Sequence, residues 1–275
     1  MSFSGQRERL GALRVRLAAR AQQPPPADWP PVVMAGAEVG IAHPDVAGFL
    51  ATHMPRFALI DYRLVLDDES LDLAARSALL FDAACRLRDA GLIWGWRDEQ
   101  LDIRVAPEAT PLATIERSAC RALGITTLAV HLNAFTPDGD LVVARRAPHK
   151  QIDPDLWDNL VGGMVPAGES ALDALRREAV EEAGIDIAPL ALQRRGVVRL
   201  SRRVPEGYQS EDILIFNTVL PAGATPVNQD GEVAAFATRT VEEVLAAIER
   251  DEFTLESALV TLDVLEEPLT PSRSS

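Results

Sequence analysis

Three glutamates, Glu178, Glu181 and Glu182, stand at i, i+3 and i+4, with Arg177 directly before them and Glu169 and the pair Gly162-Gly163 upstream. Carboxylates at that spacing share a helix face, where like charges cost about 0.2–0.5 kcal/mol per pair in an isolated helix, so the arrangement calls for a cation between them. All-oxygen donors suit hard divalent ions, Mg²⁺ or Mn²⁺. A bare Glu-x-x-Glu-Glu run is equally what a solvated acidic helix face looks like, and its surroundings must decide.

The element that positions these glutamates reads as a helix between residues 170 and 184. Ser170 can cap it, Asp173 suits the positive end of its dipole, and Gly184 supplies a left-handed stop. At 100° per residue Leu172, Leu175, Ala179 and Ala183 fall on one face and the three glutamates cluster beside them. Arg177 can pair with Glu169 of the preceding loop, holding that loop against the helix; alternatively it forms an ordinary surface ion pair. Gly162 and Gly163 allow either a close backbone approach or only a turn.

Residues 163–185 resemble the Nudix box: Gly163, Glu169, Arg177-Glu178, an apolar Ala179, Glu181-Glu182, Gly184 and Ile185 stand at every fixed position. Seven identities at roughly 7% usage each arise by chance on the order of 10⁻⁸ per window. The resemblance implies a mixed-sheet α/β/α sandwich and metal-assisted attack of water on a diphosphate linked to another moiety. It implies metal or base roles for Glu178, Glu181 and Glu182, and a metal-holding backbone carbonyl at Gly162. The base is not assigned by the box; a candidate outside it is Glu232, whose alternative is an exposed turn glutamate. Arg145, Arg146, Lys150 and Asn159 flank the box as substrate-binding candidates, the charged ones either holding phosphate or facing solvent.

The flanks Val130-His131-Leu132-Asn133 and Trp157-Asp158-Asn159-Leu160-Val161-Gly162-Gly163, with Gly91-Leu-Ile-Trp94-Gly95-Trp96-Arg97-Asp98-Glu99, resemble the thiamine-pyrophosphokinase-like branch. That branch carries an N-terminal domain of its own, and some members cleave the diphosphates of thiamine or its oxidised analogues. The stretch Phe253-Thr-Leu-Glu256 departs from its pattern by lacking a lysine. Nucleotide substrates (ADP-ribose, NADH, oxidised nucleoside triphosphates) are the alternative, and a Nudix-fold module that binds a metabolite without cleaving it is another. Retention of every box glutamate speaks against that module, and the lack of a suitably placed Cys and Glu pair against an isomerase of isopentenyl diphosphate. Trp94 and Trp96 either stack a heteroaromatic ring or pack.

The chain has 275 residues and a formal charge of −14, a surface that repels nucleic-acid polymers and anionic membranes. A small diphosphate remains compatible where cations screen it. Neither the two cysteines, Cys85 and Cys120, nor the four histidines show metal-ligand spacing, and no disulfide framework is suggested. No apolar run is long enough to span a bilayer, and a reducing cytoplasm fits. A homodimer is compatible with the sequence, which does not show one.

Proline clusters at 24–26 and 30–31 and a break near 106–111 divide the chain into a smaller α+β domain, residues 1–110, and the α/β sandwich, residues 111–275. A docked helix over 6–20 is expected first, although its arginines superficially resemble a transit peptide. Strands are expected over 32–41 and 57–66, a helix over 70–90, a strand pair over 92–105 and a helix over 112–123. A hairpin over 126–146 follows, then strands over 197–200 and 212–220 and helices over 241–250 and 254–265. A polar tail covers 270–275.

Overall fold

The computed structural model describes residues 3–266, so the expected polar tail lies outside the described residues. Helix α1 (Phe3–Ala21) sends Leu10, Leu13 and Leu17 into the core of the C-terminal half. Its arginines meet acids there, Arg9 with Glu242 and Glu249 and Arg20 with Asp251, so the basic stripe is a docking face. Each buried leucine contributes about 1.5–3 kcal/mol of transfer free energy.

A four-stranded sheet in the order β2-β1-β4-β3 follows, built from β1 (Pro31–Met34), β2 (Ala37–Ile41), β3 (Phe57–Ile60) and β4 (Arg63–Leu66). The expected strands over 32–41 and 57–66 are therefore hairpins. Ala35 and Gly36 turn the first at φ 49° and 74°, and Asp61 and Tyr62 the second at 47° and 61°. Between them α2 (Pro44–His53) starts on Pro44, with the His43 ring accepting from the Asp45 N–H. Helix α3 (Leu73–Asp89), capped by Asp72, buries Leu80, Ala83, Ala84 and Leu87 in the same core.

Two further expectations fail at the junction. Only β5 (Gln100–Ile103) is extended within 92–105, and its partner β6 (Ala113–Glu116) occupies the first half of the helix expected over 112–123, leaving α4 (Arg117–Cys120). The β-branched Thr114 and Ile115 pair across strands there instead of winding. Trp94 and Trp96 consequently lie on a loop.

The large sheet runs β11-β12-β7-β8-β13, using β7 (Thr126–Phe135), β8 (Leu141–Arg146), β11 (Gln193–Val204), β12 (Gly207–Val219) and β13 (Val233–Arg239). β9 (Trp157–Asp158) pairs with β8 and β10 (Val161–Met164) with β7. β7 and β12 are parallel and their other neighbours antiparallel, so the sheet is mixed. Alternation along β7 sends Val130, Leu132 and Ala134 toward α5 (Ala171–Ala183), and Ala129 and Phe135 toward α6 (Val241–Glu249), α7 (Leu255–Glu266) and α1. This is the expected α/β/α sandwich.

Candidate active site

Ser170 accepts from the Asp173 N–H, and Gly184 closes α5 in the left-handed region at φ 64°. Leu175, Ala179 and Ala183 are buried as expected, but Leu172 is 36% exposed and Ala174 takes its place. Glu182 is unusual: it belongs to the acidic cluster and is 9% exposed, its Oε2 accepting from the Gly162 N–H at 3.1 Å.

The two glycines of β10 are required by what crosses them. A Cβ on Gly163 would lie 2.3 Å from Glu178 Oε1, and one on Gly162 would lie 3.0 Å from the His131 ring. Only bare backbone lets Glu178 lie over β10 beside Glu182. Arg177 bridges the front, 3.1 Å from Glu169, 2.9 Å from Glu178 and 3.0 Å from Glu181. Its pairing thus extends beyond Glu169 to two of the helix glutamates.

Glu178, Glu181, Glu182, Gly162 and Gly163 line a cavity of about 320 Å³ between α5, β10, the start of α7 and the loop after β8. Nine acidic and four basic side chains line it, so its charge is strongly negative. Burial pushes the Glu182 carboxyl well above its ordinary value, with Glu178 and Asp158 adding repulsion against one backbone hydrogen bond. Glu178 is raised for the same reason, opposed by Arg177. A buried carboxylate beside a half-buried one, with one guanidinium and one backbone N–H between them, is a fitting donor set for a hard divalent cation. As placed, no three His, Cys, Asp or Glu side chains among the described residues converge tightly enough to hold one.

Glu232 faces the same cavity and forms an ion pair with Lys150. Burial raises its carboxyl, but the bond to Lys150 and the charges of Lys150 and Arg146 outweigh this, and its net shift is downward. Arg146 lines the cavity too, yet its guanidinium is spent on Asp158 at 3.1 Å and the Ile152 and Asp153 carbonyls at 2.9 and 3.1 Å, pinning the loop after β8.

Two flanking candidates are placed elsewhere. Arg145 points away from the cavity and reaches Asp155, because successive residues of β8 face opposite sides. Asn159 is 3% exposed, and its amide is consumed by His131 Nδ1 at 2.8 Å, Asn133 Oδ1 at 2.8 Å and Thr261 Oγ1 at 3.1 Å. It positions the His131 ring behind Gly162 and has no face for substrate.

Sequence reasoning missed Asp158, Glu211 and Glu256 in the cavity wall, and Arg117 and Arg121 contributed by the end of the N-terminal half. Glu211 did leave a signal. Gln209 and Glu211 share the face of β12 that carries Ile213 and Ile215, a polar start to an apolar stripe.

Residues 126–259 match the NUDIX domain family, and residues 15–127 match DUF4743, a domain of unknown function. Among similar proteins, Nudix hydrolase 20, chloroplastic, of Arabidopsis thaliana is 32% identical over 69% of this chain and 52% of its own length. Nudix hydrolase 24, chloroplastic, of the same plant is 31% identical over 65% and 50%. The chain spans about half the length of these two relatives. The crystal structure of DR0079 from Deinococcus radiodurans aligns with 62% of this chain and 99% of its own, at 26% identity and a TM-score of 0.49.

Proposed function

For a chain that carries a Nudix domain behind a DUF4743 domain, we propose divalent-metal-dependent hydrolysis of a small organic diphosphate. The observation that carries this reading is the burial of Glu182 beside Glu178 over two bare glycines, an arrangement that is costly without a cation. Glu178, Glu181 and Glu182, with the Gly162 carbonyl, would hold Mg²⁺ or Mn²⁺. When bound, such ions neutralise charge on the phosphate oxygens and acidify water.

The protein's own side chains do the rest. Arg177 and Glu169 fix the loop before α5 against the helix, which keeps the glutamates oriented. Lys150 keeps Glu232 ionised and so able to accept the proton that leaves the attacking water, at some loss of basicity. Lys150 and Arg146 bring positive charge to the approach used by a phosphate group.

Within this class we favour diphosphates of thiamine or an oxidised analogue over nucleotides, on the likeness of residues 91–99 and 157–163 to the thiamine-pyrophosphokinase-like branch. No helix among the described residues is long and apolar enough to cross a membrane, and the free thiols Cys85 and Cys120 suit a reducing cytoplasm.

The test is product formation with Mg²⁺ or Mn²⁺, read by chromatography: thiamine monophosphate and inorganic phosphate from thiamine diphosphate, and AMP from ADP-ribose or NADH. Glu181→Gln and Glu182→Gln are each expected to lower kcat by about 10²-fold or more while the far-ultraviolet spectrum stays native. Full activity in either variant would overturn the reading, and faster turnover of the nucleotides would overturn the preference for thiamine.

A further inference from the structure

A second cavity of about 160 Å³ lies beside the acidic one and shares a wall with it, formed by Arg117, Arg121, Ile152, Met164, Gln209 and Glu211. Its far side comes from the N-terminal half, where the loop before β5 contributes Trp94 and Arg97. A molecule with its phosphates against the box helix therefore has an adjoining cavity for whatever the phosphates are joined to, and that cavity is built from both halves.

Trp94 is 59% exposed and, among the described residues, stacks on no ring. Trp96, two residues on, shows what packing looks like here: it meets Phe81 edge-on at 5.9 Å, carries the Arg88 guanidinium at 4.5 Å, and donates to Asp98 at 2.6 Å. The loop bearing Trp94 is not a free tip. The Arg97 backbone N–H is held by Glu116 at 3.0 Å, its guanidinium reaches Gln151 across the cavity at 2.7 Å, and Arg117 is tied to Glu99 at 2.7 Å. A large ring more than half exposed on an anchored loop keeps a free face for a ligand with little backbone left to order, which is the condition of a preformed stacking platform.

Polar atoms around the ring site are also unspent. Among the described residues Ser118 Oγ is buried with no hydrogen-bond partner, and the Glu211 carboxylate receives only a long 3.4 Å contact from the Thr127 hydroxyl. A hydroxyl and a carboxylate at the base of a narrow cavity suit the ring nitrogens and exocyclic amines of a heterocycle. Arg117 and Arg121, on the shared wall, stand where the phosphate nearest that ring would pass.

We propose that this cavity is the binding site for the non-phosphate part of the substrate, a flat nitrogen heterocycle stacked on Trp94 and hydrogen-bonded by Ser118 and Glu211, so that the N-terminal half sets specificity. The proposal rests on the hydrolase reading for its orientation, with the diphosphate toward α5. A nucleobase and a thiamine-type ring share the required chemistry, and the experiment separates them.

Calorimetric binding of thiamine monophosphate and of AMP to the metal-free full chain is compared in the wild type, Trp94→Ala and Trp94→Phe. At least one of the two is expected to bind, with Trp94→Ala weakening it about tenfold or more and Trp94→Phe restoring it to within about threefold. The stronger binder identifies the ring. In turnover, Trp94→Ala is expected to raise KM for thiamine diphosphate or ADP-ribose by a similar factor with kcat little changed, and to act far less on butyl diphosphate. Binding of neither compound, equal affinity in Trp94→Ala, or an equal effect on butyl diphosphate would overturn the proposal. Trp94-dependent binding without any hydrolysis would instead overturn the hydrolase reading and leave this site standing.

Discussion

Two groups of buried polar side chains lie on either side of Gly162, and they are built on opposite terms. Beneath α7, Asn133 donates to Asn217 at 3.0 Å, Asn159 donates to Asn133 and Thr261, and His131 meets Asn159 at 2.8 Å. Both Asn159 Nδ2 contacts are donations, so its Oδ1 must accept from His131 Nδ1–H, and this assigns the tautomer. Among the described residues only Asn217 Nδ2 and Ser257 Oγ lack partners in that region. Over β10, by contrast, Glu182 has one backbone N–H and Glu178 one guanidinium. A polar network that is nearly complete rigidifies a fold; buried carboxylates left short of donors are a standing cost that a cation would offset. The comparison separates what holds the sheet and helix together from what waits for a ligand.

Breaking the satisfied side should have the larger effect on stability. Asn159→Ala strands the buried His131 Nδ1–H and Asn133 Oδ1, and each stranded group costs about 1–3 kcal/mol. Urea unfolding is expected to show a loss of about 2–4 kcal/mol, largely independent of pH and of added metal. A loss that vanished with Mg²⁺ present would place Asn159 in the ligand site instead.

The under-satisfied side should respond with the opposite sign. Glu182 has a carboxyl raised by burial in the folded protein, whereas the unfolded chain titrates in the ordinary range. Its stabilising contribution is therefore complete below the ordinary carboxylate value and is lost as pH rises through the raised one. Metal-free wild type should lose stability across that window, and Glu182→Gln should be more stable than wild type by about 1–2 kcal/mol at pH 7 with a flatter pH profile. Thermal melts at pH 5 and pH 7.5 in chelator measure both. Equal melting temperatures for the two proteins at pH 7.5 would remove the argument that Glu182 is a strained acid.

Much of α5 was legible because its signals are local. A serine cap, a left-handed glycine and a pair eight residues apart, Glu169 with Arg177, depend on nothing distant. Elements set by distant partners were not. The turn at Asp61-Tyr62 puts a tyrosine at positive φ, which no turn pattern announces, and Trp94-Gly95-Trp96 alternates like a strand yet pairs with nothing. Thr114 and Ile115 take strand geometry because β5 lies opposite them. Asn159, polar and next to the box, invited a substrate role; that it sits under α7 follows from the packing of Thr261, about a hundred residues later.

The smallest expected effect tests how finely strand alternation sorts function. Arg145 and Arg146 are adjacent and equally charged, but Arg146 lines the acidic cavity at 21% side-chain exposure while Arg145, at 47%, pairs with Asp155 on the other side. An exposed pair of that kind is worth little, so Arg145→Ala should change stability by less than about 0.5 kcal/mol. Its kcat/KM should remain within about twofold of wild type, whereas Arg146→Ala frees the Ile152 and Asp153 carbonyls and uncovers Asp158, raising KM through a loosened cavity wall. Parallel kinetics on the two variants decide the matter: equal losses would mean that proximity in sequence, and not the side of β8 on which each arginine emerges, governs access to the glutamates.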